Sequence, residues 1–338
     1  MPQPQTLGIA LGLMTAFFWA ISPLCWASVG KRIGSFRVLL LRSALASALL
    51  LLVLPAYLVV IPAAAWPTTV QMLWIIVSGF LGMGIGDALC YEAFATLGPR
   101  RTTQILTLAP VGAVIMGWMI GEHLEALHVL GIVVVLAATA WAVLARQHAT
   151  LQEDAPARTG LASPSWNTVA PLSGNGGERR QNTVVHSNEP GHLTLIGIVL
   201  AVAGAACVGF GAVAGRQAFR MGELDPFIAT VLRVSTSGLA LWFVPLCRGQ
   251  TAWVFAPLRD RRVARRMALG VVSGPILGMV CYVAALRLIE AGLVSTMSAT
   301  SPLFILPMIM WRYHVRLPLA VVIAALLAAA GIAMIYLT

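Results

Sequence analysis

Ten apolar runs, each about twenty residues long, the length a helix needs to cross a bilayer, fill most of this chain. They are Leu7–Val29, Phe36–Val60, Val70–Leu97, Thr102–Ile120, Ala126–Ala145, Leu193–Gly215, Pro226–Leu246, Met267–Leu288, Ala291–Trp311 and Leu317–Leu337. In hydrocarbon every backbone polar group must find its partner within the protein, which leaves helices and closed barrels. The runs lack the alternation of barrel strands, so the predicted fold class is an all-α membrane protein with ten transmembrane helices. Composition points the same way. Hydrophobic residues make up 59%, charged residues 10%, and mean hydropathy is +0.87. A soluble domain carries about 25% charged residues, so a soluble enzyme and a disordered chain are both excluded. The first run is too long for a cleaved signal's core and is read as a retained helix.

The net charge is +10, yet the basic residues punctuate the apolar runs instead of forming a nucleic-acid surface. Most stand in or beside loops that follow odd-numbered runs; the loops after even-numbered runs, with the run ends beside them, hold only Arg216, Arg220 and Arg287. The positive-inside bias then puts the odd loops in the cytoplasm and both termini outside. Between the fifth and sixth runs, Gln147–Gly191 is rich in Ser, Asn, Gly and Pro and reads as a flexible polar linker. Five cysteines lie in or beside apolar runs with no CxxC pair, and read as packing residues.

The linker separates two halves that resemble each other, 6–146 and 192–338. Phe36 precedes Arg42 by six positions, as Phe227 precedes Arg233. Pro55 and Pro245 are expected to close the corresponding helices. Val77-Ser78-Gly79 matches Val272-Ser273-Gly274, Cys90-Tyr91 matches Cys281-Tyr282, and Pro110 matches Pro302. Five spans per half is an odd number, so the second half must enter the membrane upside down. Inverted repeats with a site at their interface are a mark of secondary transporters.

At these residues the chain resembles the drug/metabolite transporter superfamily, in its EamA-like ten-helix branch. The most specific stretch is GDALCYEAFATLGPRRTTQILTLAPVGAVIMGWMIGEHL, Gly86 to Leu124, with the helix-four proline at Pro110 and Gly121-Glu122 after it. Arg42 and Arg233 match the arginines early in helices two and seven. Where Glu122 would recur in the second half, His314 stands instead. The resemblance implies export or exchange of small metabolites, amino acids or drugs.

Charges inside the bilayer are costly and usually functional, which singles out Asp87, Glu92, Arg42 and Arg233. Asp87 is about ten residues from its helix end, roughly 15 Å deep. Arg42 lies at similar depth, so an ion pair or gate with Asp87 or Glu92 is expected. Around Arg233, Thr230, Thr236 and Ser237 make a polar helix face suited to a pathway or an anionic group. Pro110 and Pro302 each free a backbone carbonyl at mid-membrane, beside Thr107 and Ser298, and matched breaks of this kind point to a binding site. Trp19, Tyr91 and Tyr282 are candidate aromatic walls.

Other motifs are discounted. Glu122–His128 contains an ExxH spacing but no second copy, so no metal is expected. Gly82–Gly86 lies within a span and reads as a packing stripe, and Arg259–Arg266 as a topology anchor. The expected function is secondary transport, as an exporter of a small organic solute, by a monomer or homodimer in the cell's inner membrane. A proton or counter-solute is the expected drive, with no cofactor, no enzyme activity and no nucleic-acid partner. The alternatives are a proton-independent exchanger resembling sugar-phosphate translocators, a membrane-embedded enzyme, or a scaffold.

Overall fold

The computed structural model describes residues 4–122, 124–153, 191–313 and 319–336. All regular structure among them is helical. In chain order the first half holds α1 (Pro4–Ile33), α2 (Ser35–Val60), α3 (Thr69–Val77), α4 (Gly86–Thr96), α5 (Pro99–Leu106), α6 (Ala109–Met119) and α7 (Ala126–Glu153). The second holds α8 (Gly191–Arg220), α9 (Pro226–Cys247), the short α10 (Thr251–Phe255), α11 (Arg261–Val271), α12 (Met279–Leu288), α13 (Ala291–Ala299), α14 (Ser301–Tyr313) and α15 (Leu319–Tyr336). A π-helical segment, Ser78–Ile85, joins α3 to α4, and another, Val272–Gly278, joins α11 to α12. Among the described residues, seven helical stretches are long and apolar enough to cross a membrane. Three shorter apolar helices, Ala126–Ala142, Ala291–Ile305 and Val322–Tyr336, stand where the fifth, ninth and tenth runs were expected.

Several boundaries differ from the sequence reading. Pro55 lies inside α2, which runs on to Val60. Proline is tolerated in membrane helices, where neighbours and local adjustments satisfy the freed backbone groups. The fourth and ninth runs are each two helices, parted at Thr107–Leu108 and at Thr300. The proline in each sits in the first turn of the second piece, where its missing N–H costs nothing. The eighth span begins earlier than expected, at Arg261, because the Arg-rich segment is itself helical and is capped by Asp260, which accepts from the Arg262 N–H. Helix α7 extends over Gln147–Glu153, into the segment read as linker, and α8 starts at its last residue, Gly191; 154–190 and His314 lie outside the described residues.

The halves interleave. Helix α1 packs along α11 and α12, and α8 packs along α3 and α4. Helix α1 also meets α13 and α14, as α8 meets α5 and α6; α2 crosses α9, and α7 lies along α15. Each contact thus recurs when every element is replaced by its counterpart in the other half. Glycine makes the closest approaches possible. A side chain at Gly79 would collide with the backbone carbonyl of Arg233, and one at Gly82 would lie 2.9 Å from the Cα of Gly211. Small residues are what let membrane helices approach backbone to backbone. Outward, residues such as Leu52, Val59, Leu239 and Phe243 present an apolar surface suited to lipid.

Candidate transport site

At the crossing of the two halves lies a cavity of about 300 Å³. Its wall comes from α1, α2, α8, α9 and both π-helical segments with the turns that follow them. The π-helix has a wider turn than the α-helix and often marks functional sites. Here one π segment supplies Gly82 and Met83, and the other Gly274 and Pro275.

Three charged side chains line the cavity: Arg42, Asp87 and Arg233. Arg42 donates to the Asp87 carboxylate in an ion pair, and both are largely buried. The Arg42 guanidinium also lies 5.5 Å from the ring centres of Trp26 and Tyr91. Arg233 is differently placed. It is only 3% exposed, and its Nε and Nη1 are buried with no hydrogen-bond partner. Its guanidinium sits over the ring of Tyr282 at 5.2 Å. Tyr282 in turn stacks on Trp19, ring centres 5.4 Å apart and planes within 19°.

The local sequence fixes these positions. Asp225 accepts from the backbone N–H groups of Phe227 and Ile228, and Pro226 opens α9 with its φ preset. That start places Arg233 two turns in, against Gly79 and Gly215. A side chain at Gly215 would come 2.9 Å from Arg233 Nη1. Ser78 donates to the Gly211 carbonyl, which ties the π segment to α8 beside this glycine.

Of the side chains picked from sequence, Trp19, Arg42, Asp87, Arg233 and Tyr282 meet in the cavity wall. Tyr91 touches the site through Arg42. Glu92 does not; it is exposed, because five residues beyond Asp87 turns it to another face of α4. Thr107, Pro110, Ser298 and Pro302 are also outside the wall. The carbonyls near the breaks are satisfied locally: Thr107 donates to Gln104, Ser298 to Ser295, and Ser301 to Ser298. The hydroxyls of Thr230 and Thr236 likewise bond carbonyls of their own helix, and among these three only Ser237 lines the cavity.

Sequence reasoning missed Ser22 and Trp26, although Trp19, Ser22 and Trp26 share one helix face at i, i+3 and i+7. It also missed the part played by Glu122. That carboxylate is 5% exposed, accepts from the Ala291 N–H at 3.4 Å and lies 3.9 Å from Arg216 Nε. Burial pushes the Glu122 carboxyl up from its ordinary value, against the pull of the Ala291 N–H and Arg216. Arg216 donates to the carbonyls of Leu286 and Arg287, and Arg220 to that of Ile120. Gln71 donates to Ala218 and Gly222, and Tyr57 to Asp225. The ends of α2, α6, α8 and α12 and the starts of α3, α9 and α13 are thereby tied together at one end of the bundle. Among the described residues no group of three or more His, Cys, Asp or Glu is placed to hold a metal ion.

The sequence profile of the EamA-like transporter family matches residues 6–144 and again 195–337. This chain belongs to the EamA-like transporter family. The two matches fall on the two halves, so the repeat read from Arg42 and Arg233, Cys90 and Cys281, and Pro110 and Pro302 is the EamA repeat, and the fold is that of the drug/metabolite transporters. A crystal structure described only as "Crystal structure of protein" shares the fold at a TM-score of 0.67 and 16% identity. The alignment covers 98% of each chain. No curated protein matches the sequence. The family and the long apolar helices make this a multi-pass membrane transporter of small molecules.

Proposed function

We propose that this EamA-like chain is a secondary transporter that exports a small organic solute across the cell membrane by alternating access. The observation that carries this reading is the 300 Å³ cavity, walled by both repeats and holding their equivalent arginines. A volume at the low end of the range for ligand sites suits a small solute. The two five-helix repeats, opposite in orientation, rock about the cavity, and 147–191 joins them. Trp19 and Tyr282 form an aromatic wall, Arg233 a polar contact, and the Arg42–Asp87 pair the group that responds to a proton. The breaks at Thr107–Pro110 and Ser298–Pro302 act as joints within their spans.

The polar ties around Glu122 lie at the end of the bundle that carries the even loops. The cavity reaches toward the odd loops, since Trp26 is about 10 Å from the end of α1 and Arg42 about 10 Å from the start of α2. With the charge bias placing the odd loops in the cytoplasm, the state described faces inward.

Uptake and efflux of labelled amino acids, organic acids and cationic drugs in proteoliposomes, with and without a pH gradient, test this reading. We expect gradient-driven flux of at least one solute, and loss of its pH dependence in Asp87→Asn. Flux of none, or unchanged pH-dependent flux in Asp87→Asn, counts against the transport reading or against Asp87 as the proton carrier, respectively.

A further inference from the structure

The cavity charges do not balance. Arg42 and Asp87 neutralise each other, and Arg233 is left over. Its Nε and Nη1 make no hydrogen bond, its guanidinium makes no ion pair among the described residues, and the ring of Tyr282 faces it. A ring face attracts a cation weakly by comparison with a carboxylate, and it offers nothing to the in-plane N–H donors of the guanidinium fork. A buried charge in this condition calls for a partner that the fold does not supply.

The repeat explains why the partner is missing. In the first half the arginine of the second span lies over the tyrosine of Cys90-Tyr91, and Asp87, three positions before the cysteine, completes the pair. In the second half Arg233 lies over the tyrosine of Cys281-Tyr282 in the same way. Three positions before Cys281 stands Gly278. The space a side chain would take there is filled by Trp19, the ring that stacks on Tyr282. Arginine and tyrosine are retained in both halves; the carboxylate exists in one.

We infer that Arg233 anchors the carboxylate of an organic monoanion, which takes in the second half the place that Asp87 holds in the first. One uncompensated positive charge calls for one negative charge, and a planar guanidinium fork matches the two oxygens of a carboxylate. The rest of the ligand is apolar. Around Arg233 the cavity offers Trp19, Tyr282, Met279, Pro275 and Leu241, surfaces that suit a ring or a short alkyl chain and reject a polyol. This inference takes the cavity to be the solute site of the transport reading, but it concerns binding and does not depend on flux.

Calorimetric titration of the purified full chain in detergent tests it, with butyrate and phenylacetate as anions. Phenylacetamide, phenethylammonium and phenyl phosphate serve as neutral, cationic and doubly charged comparators. The wild type is expected to bind phenylacetate at least tenfold more tightly than phenylacetamide and phenethylammonium. Arg233→Gln is expected to shrink that margin below twofold, and Arg233→Lys to keep part of it. No binding of either carboxylate, equal binding of the amide or the ammonium, or a margin that survives in Arg233→Gln overturns the inference. Tighter binding of phenyl phosphate overturns the monoanion assignment. The wild-type comparison stands even where a variant fails to fold. Selective binding without flux removes the transport reading and leaves this one; flux of a cationic drug without carboxylate binding does the reverse.

Discussion

Arg42 and Arg233 occupy equivalent places in the two repeats, and both lie over the tyrosine of a Cys-Tyr pair. One has a carboxylate and the other does not. A duplicated scaffold can therefore keep its packing and change its chemistry at a single position, here Asp87 against Gly278. The half with the carboxylate has closed its own charge balance. The half without it has an aromatic stack and an open guanidinium. Two copies of one fold thus give one cavity with two unlike sides.

The largest test of this contrast is to open the closed side. Asp87→Asn leaves Arg42 buried without its partner, and breaking such a pair costs about 3–5 kcal/mol. We expect a marked fall in the thermal midpoint of the detergent-solubilised protein, partly restored by Arg42→Gln in the double variant. A midpoint within a degree of wild type for Asp87→Asn would mean that the pair holds nothing together. Next in size is the close approach beneath the arginine. Gly211→Ala puts a Cβ against the backbone of Gly82, where neither segment can yield as a flexible side chain would. Alanine normally favours a helix, but overpacking costs about 1–3 kcal/mol and decides the sign here. Unchanged stability in this variant would show that the helices have room to spare.

The open side is expected to respond in the opposite direction. Arg233→Gln removes a charge that the unliganded fold leaves uncompensated, so the midpoint without ligand should rise by about 2 °C, the equivalent of some 1 kcal/mol or less. A fall as large as that of Asp87→Asn would mean that Arg233 has a structural partner after all. The smallest effect lies at the far end of the bundle. The Glu122 carboxyl is held above its ordinary value, first by burial, so the folded state favours its protonated form. Its contribution to stability is then full below its ordinary pKa and is lost as pH rises through the raised value. Glu122→Gln should flatten that part of the stability-against-pH curve. A curve of unchanged slope assigns the pH dependence to other groups.

Much of this could be read from the chain. The apolar runs gave the helices because a bilayer admits little else, and the ordered matches around Arg42 and Arg233 gave the repeat. Asp87, Arg42, Arg233, Trp19 and Tyr282 were found as charges or aromatics within spans, where such residues are costly or conspicuous. Glu92 was selected by the same rule and is exposed, since the rule gives depth along a helix but not the facing of its side chain against neighbours. Pro110 and Pro302 do break their helices, but serine and threonine hydroxyls satisfy the nearby carbonyls, and the cavity formed instead at the π-helical segments. No sequence period marks a π turn, whose extra residue is accommodated by packing against the partner helix.

By itself, then, the sequence determined an all-helical membrane transporter of two EamA-type repeats, through hydropathy, charge placement and internal likeness, which are local or additive properties. Tertiary structure decided which carboxylate meets Arg42, that Glu122 turns to Arg216 and the start of α13, and that Arg233 forms no ion pair among the described residues. Those outcomes depend on distances between segments far apart in the chain. They are set by how closely glycines such as Gly79, Gly82 and Gly211 let the helices approach, and that is a property of the packed bundle.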